Sequence, residues 1–157
     1  MLDACVVTER LRTFVDEIGR NPVEHEQRGI MLEQQSAEDA AARTCPSGIV
    51  IADSAPLMIA VYSVAYFDDD TLIESAVDLA RGYDLMIWCD IDLPWEADGI
   101  QRDGPEVRER EHEIIAEIVR RYVIPAGIRV ELVSGPRSVR AEAAGRAWQL
   151  LGPHEPT

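Results

Sequence analysis

Three short segments carry side chains whose types and spacing could do chemistry. The first is Ile49-Val50-Ile51-Ala52-Asp53, an apolar run that ends in a carboxylate. A strand fixes such a carboxylate in space, where it can hold Mg²⁺ directly or through water, as the acid at the end of a Walker-B strand does. A strand-end aspartate can equally cap the following turn, here through Ser54 and Ala55. The second segment is Asp90-Ile91-Asp92-Leu93-Pro94-Trp95. A tryptophan can stack on a flat heterocycle, a cationic one above all, and nearby carboxylates add attraction. The same residues also fit a loop in which Trp95 plugs the core and the acids face water. The third runs from Asp98 to Arg108, punctuated by Gly99 and Gly104 and carrying Arg102 and Arg108 into a helix. An arginine loop of this kind can close over phosphates and stabilise their charge. It can also be a solvated loop of Arg–Asp pairs, each worth ~0–1 kcal/mol.

Other constellations carry less. Thr8-Glu9-Arg10-Leu11-Arg12 places charge where a strand meets a helix, which suits ordinary capping as well as a site. Asp68-Asp69-Asp70 has the composition of a chelator without the spaced ligands of a calcium loop, and reads as a solvated turn leading into Thr71. His25, His112 and His154 are far apart and no HExxH occurs, so zinc chemistry lacks support. No GxSxG occurs, which leaves the hydrolase triads without a nucleophile elbow.

These segments need a scaffold. The 157 residues, 46% hydrophobic and 28% charged, suit one globular domain over residues 1–151, with a disordered tail over 152–157. Fifteen basic against 29 acidic side chains leave a net charge of −14, which repels phosphate backbones and anionic bilayers; nucleic-acid and membrane partners are therefore not expected. Every basic residue is arginine. With no lysine, a Schiff base or a Gly-Lys-Ser/Thr phosphate loop cannot be built from this sequence. Cys5, Cys45 and Cys89 are widely spaced and odd in number, and no signal peptide precedes them, so reduced thiols in a cytoplasmic protein are expected.

Apolar runs predict strands over 4–7, 48–53, 84–90 and 128–133. Those at 48–53 and 84–90 do not alternate, so both read as buried on two faces. Helical spacing predicts segments over 11–18, from Asn21-Pro22 to about Arg43 with Glu24 three residues after the cap, over 56–67, from a Thr71/Glu74 capping box to Gly82, between Pro105 and Pro125, and after Pro136. Strands alternating with helices predict a three-layer α/β/α sandwich around a mainly parallel sheet. Ligands in such sheets bind beyond the carboxyl ends of the strands, where Asp53 and Asp90 lie.

Taken in order, VVTERLRTF (6–14), IVIADSAPLMIAVYSVAYF (49–67), YDLMIWCDIDLPWEADGIQRDGPEVRER (83–110) and VELVSG (130–135) resemble the P-loop kinase domain of NadR-type ribosylnicotinamide kinases and related AAA-like proteins. The resemblance spans nearly all of residues 5–150. It implies a P-loop NTPase-like fold and transfer of a phosphoryl group from Mg-ATP to the ribose 5′-hydroxyl of a nicotinamide riboside-like nucleoside. It puts Asp53 at the Walker-B acid, serving Mg²⁺ or acting as base. It puts Asp92 and Trp95 in the acceptor loop, Arg102 and Arg108 in the lid over the ATP phosphates, and Glu9 and Arg12 near the acceptor. The family opens with a strand and a GxxxxGK[ST] loop, whereas Met1 to Val7 here correspond to its second strand. Losing one preorganised donor costs roughly 10²–10³ in rate, so a chain without that loop is expected to have little or no kinase activity. The alternatives are a non-catalytic nucleoside-binding module and a protein whose sheet a partner completes.

Overall fold

The computed structural model describes residues 3–96 and 104–151. The chain divides into two compact units, residues up to Ala80 and residues from Arg81 on. Arg102 and the expected disordered tail fall outside the described residues.

The first unit contains β1 (Cys5–Thr8), α1 (Arg10–Ile18), α2 (Glu24–Thr44), β2 (Val50–Asp53), α3 (Leu57–Phe67) and α4 (Ile73–Ala80). β1 and β2 pair in parallel, with Cys5 opposite Val50 and Thr8 opposite Asp53. Parallel neighbours need a crossover, and α1 and α2 supply it. Gly19 ends α1 at φ 76°, a left-handed turn that glycine enters without steric cost. Helix α2 packs on both strands and on α3. Its Met31 is completely buried, as are Ala60 and Val61 of α3 and Ala76 of α4.

The start of α2 differs from the sequence reading. The helix begins after Val23, two residues beyond the Asn21 cap expected. Glu26, not Glu24, reaches back to accept the Val23 N–H at 2.8 Å, while both terminal nitrogens of Arg20 donate to the same carboxylate at 2.8 Å. The two donors hold Glu26 at a pKa of about 2, Arg20 contributing most. Similarly, Asp69 supplies the carboxylate at the turn before α4, accepting the Thr71 N–H at 3.0 Å and the Ser63 hydroxyl at 3.1 Å. The aspartate triplet is thus a turn device, and among the described residues no cluster of potential metal ligands is found.

The cysteine expectation is corrected for two of the three. Cys5 and Cys45 are joined as a disulfide, while Cys89 is free and exposed. The partners are 40 residues apart in sequence, so spacing does not show their proximity. The β1–β2 ladder does: Cys5 donates its N–H to the Ile49 carbonyl at 2.9 Å, which lays the start of β1 beside the connection leaving α2.

The second unit contains β3 (Met86–Cys89), α5 (Pro105–Ile118), a π-helical turn (Val119–Val123), β4 (Val130–Val133) and α6 (Arg137–Gln149). β3 and β4 are also parallel, with Met86 opposite Val130 and Cys89 opposite Val133. The ladder continues at each end, from Met86 N–H to Arg129 O and from Asp90 N–H to Val133 O, both 2.9 Å. Val123 and Val133 lie in its core.

Parallel pairing between helices agrees with expectation. Among the described residues the ladders form two two-stranded sheets. Burial on both faces of β2 and β3 is corrected: each strand alternates, leaving Ile51 47% and Ile87 41% exposed. An unbroken apolar run is compatible with a sheet covered on one face, because it lacks only the polar residues that would mark the open face. Among the described residues no helix is long and apolar enough to cross a membrane.

Candidate functional site

The carboxyl ends of both strand pairs collect polar side chains. In the first unit, register brings Thr8 and Asp53 side by side, so the residues that follow them, Glu9 and Ser54, meet at the rim. The Ser54 hydroxyl donates to Glu9 Oε1 at 3.1 Å. Next to them the Arg10 N–H donates at 2.8 Å to Gln34 Oε1, and the amide nitrogen of Gln34, a residue only 2% exposed, donates at 2.8 Å to Glu38. That network anchors the first turn of α1 to α2. The Arg10 guanidinium is occupied by Glu33 at 3.0 Å.

Asp53 is exposed at this rim, and its carboxylate has no hydrogen bond or ion pair among the described residues. Arg12, on α1, is likewise exposed, and its guanidinium has none. Mg²⁺ is commonly held by one or two carboxylates, several waters and substrate phosphates. An open, unspent strand-end carboxylate fits that donor set, with the phosphates arriving on the ligand.

In the second unit, the strand ends are built around the 90–95 loop. Asp90 Oδ1 accepts the Ile91 N–H at 2.8 Å, and Oδ2 accepts the Ser134 hydroxyl at 2.9 Å. These hold the Asp90 carboxyl below the usual range, the Ser134 hydroxyl most strongly, with smaller help from the His112 and Arg140 charges. His112 Nε2 stands 3.8 Å from Asp90 Oδ1, and its ring lies 4.9 Å from that of Trp88.

Asp92 is tied to the turn after β4. Its Oδ2 accepts the Gly135 N–H at 2.6 Å and its Oδ1 pairs with Arg140. Arg108, from α5, donates to the Leu93 carbonyl at 3.0 Å and the Ile91 carbonyl at 3.4 Å. Trp95 is half-buried at the end of this loop, beyond the exposed Leu93.

Of the residues singled out from the sequence, Glu9 and Asp53 therefore share one rim, and Asp92 and Trp95 share one loop, which Arg108 holds from α5. Arg102 lies outside the described residues. Sequence reasoning missed Arg140, Ser134 and His112. A faint signal for Arg140 exists in its place one helical turn after Gly135-Pro136, from which a long side chain can reach back over the turn.

Ligands of parallel α/β sheets bind beyond the carboxyl ends of the strands, and each unit carries acidic and basic side chains there. A family model described as AAA domain matches residues 3–140, and the chain belongs to that family. Membership points to a P-loop NTPase fold and to nucleotide-binding or ATPase-like function. No curated protein matches the chain.

Proposed function

We propose that this chain is an ATP-dependent small-molecule kinase or ATPase domain that takes a nicotinamide riboside-like nucleoside, with little phosphoryl transfer of its own. The observation that carries the reading is the 90–95 loop, held at the end of β3 with Trp95 on it, in a chain of the AAA domain family. In this reading Trp95 stacks on the base and Asp92 bears on the acceptor side. Asp53 holds the metal of Mg-ATP or accepts the 5′-hydroxyl proton, with Glu9 and Arg12 on the acceptor side. Bound Mg²⁺ supplies charge neutralisation on the phosphates. The lid role over those phosphates goes to Arg108, which can offer N–H groups beyond those held by the Ile91 and Leu93 carbonyls; Arg102, given the same role by the resemblance, lies outside the described residues. The three-layer sandwich and the cytoplasmic location belong to the same proposal. The sequence has no lysine to cradle the phosphates, which supports weak turnover.

Titration of tryptophan fluorescence with nicotinamide riboside and with Mg-ATP tests the reading. Saturable quenching by the nucleoside is expected, lost on Trp95→Ala. A flat titration with both ligands would remove the proposal.

A second reading is favoured by the sheets themselves. Two-stranded sheets are marginal alone, and Val6, Ile51, Ile87 and Leu132 stand exposed on them. A partner polypeptide would then complete the sheet. A stably folded, monodisperse monomer in sedimentation would argue against it.

A further inference from the structure

Arg140 is a residue that neither the family match nor the sequence motifs single out, yet it joins three segments of the second unit. Its Nε donates to the Gly135 carbonyl at 2.7 Å and its Nη1 to the Asp90 carbonyl at 2.9 Å, while Nη2 pairs with Asp92 Oδ1. Asp92 closes the ring by accepting the Gly135 N–H at 2.6 Å. Gly135 thus offers both backbone groups to the same pair, at φ 87°, a conformation that side chains other than glycine rarely adopt. The Arg140 side chain is only 14% exposed. A guanidinium shielded from water and bound on three sides is a strong, directional clamp, because its planar fork loses little freedom for each bond formed. Arg108 holds Ile91 and Leu93 from α5, so α5 and α6 grip the same loop by its carbonyls.

We propose that Arg140 is the positioning residue of the Asp92–Trp95 loop: by holding Asp92, Asp90 and Gly135 together, it sets the loop in the one conformation that receives the nucleoside. The ligand part rests on the function proposed above; the clamp itself does not. Arg140 touches no reacting atom in this scheme and acts through Asp92.

The test compares hydrogen exchange over residues 90–96 and over the β4 ladder in the free chain, together with nicotinamide riboside affinity. Variants are Arg140→Gln, Arg140→Lys, Asp92→Asn and the Arg140→Gln/Asp92→Asn double. Arg140→Gln is expected to speed exchange in the loop and weaken nucleoside binding, each about tenfold, the size of one charged hydrogen-bond set. The Val130–Val133 amides should be unchanged. Arg140→Lys should recover part of both losses, since it keeps the charge without the fork. Asp92→Asn should copy Arg140→Gln, and the double variant should be no worse than either single. Unchanged loop exchange in Arg140→Gln overturns the proposal. So does a rise shared equally by loop and ladder, which marks a purely structural arginine, or a loosened loop that binds as the parent does. If Arg140→Gln does not fold, Asp92→Asn, at the more exposed end of the pair, decides by the same readouts. A parent chain that binds no nucleoside sinks the function proposed above, and the clamp is then decided by exchange alone.

Discussion

Which carboxylates are already occupied decides what each can do. Asp90 is spent on Ser134 and Ile91, and Asp92 on Arg140 and Gly135. Asp53 is spent on nothing among the described residues. If Mg-ATP binds, Asp53→Asn should weaken it about tenfold, the order of one lost charged contact, with the melting temperature unchanged; calorimetric titration and thermal scans of both chains check this. Unaltered affinity would remove Asp53 from the metal role. Glu26 makes a different prediction, because its carboxylate is stabilised only in the folded chain. Its pKa is lowered from an ordinary value of 4.5 to about 2. A depressed folded pKa gives stability that is complete above the unfolded value and is lost as pH falls through the folded one. Glu26→Gln should therefore lower the urea midpoint at pH 7, and the gap from the parent should shrink between about pH 4.5 and about pH 2. A gap that is constant across this window would show that the Arg20–Glu26 contact does not drive the pH response.

Elements were legible in the sequence where pattern and packing agree. All four strands fall within or one residue from the predicted runs, and α3 is the mostly buried helix its composition announces. Local alternatives were not legible. Asn21-x-x-Glu24 and Val23-x-x-Glu26 both have an acid three residues on, and the choice went to the acid that Arg20 can also reach. The one-sided burial of β2 and β3 depends on what covers the sheet, which a strand's own residues do not encode. Arg140 had only a faint signal, its place one turn after Gly135-Pro136, which suits a solvated arginine as well as one folded back over the turn. The Cys5–Cys45 bridge belongs to the same class of tertiary fact, and it gives an element-scale prediction. It closes a loop with a sequence separation of 40 residues. In the chain-entropy account such a loop contributes about 4 kcal/mol. Dithiothreitol should lower the denaturant midpoint of the parent chain, and should leave that of a Cys5→Ser/Cys45→Ser variant where it is. Equal sensitivity in the two chains would mean the bridge does not constrain unfolding. Within the same unit, Met31→Ala should cost ~2–5 kcal/mol in equilibrium unfolding, since Met31 is completely buried.

Across the whole molecule, charge constrains the ligand more than any single contact. The net −14 sets up a field that opposes every anion. Several of the arginines that could answer it are committed: Arg10 to Glu33, Arg20 to Glu26, Arg120 and Arg121 to Glu117, and Arg140 to the 90–95 loop. With no lysine either, a triphosphate entering alone would meet this net repulsion. The metal must then come with it. Free ATP is expected to bind at least about tenfold more weakly than Mg-ATP, a difference of 1.4 kcal/mol or more. Salt should separate this case from a cationic phosphate site. At 0.1 M the screening length is about 10 Å, so adding salt damps the long-range repulsion and should improve what binding free ATP has. A basic groove would lose affinity under the same change. Calorimetric titrations with and without EDTA, at low and moderate sodium chloride, give both comparisons. Free ATP that binds as well as Mg-ATP and weakens with salt would place the phosphates among arginines not yet accounted for, and would take Asp53 out of the site.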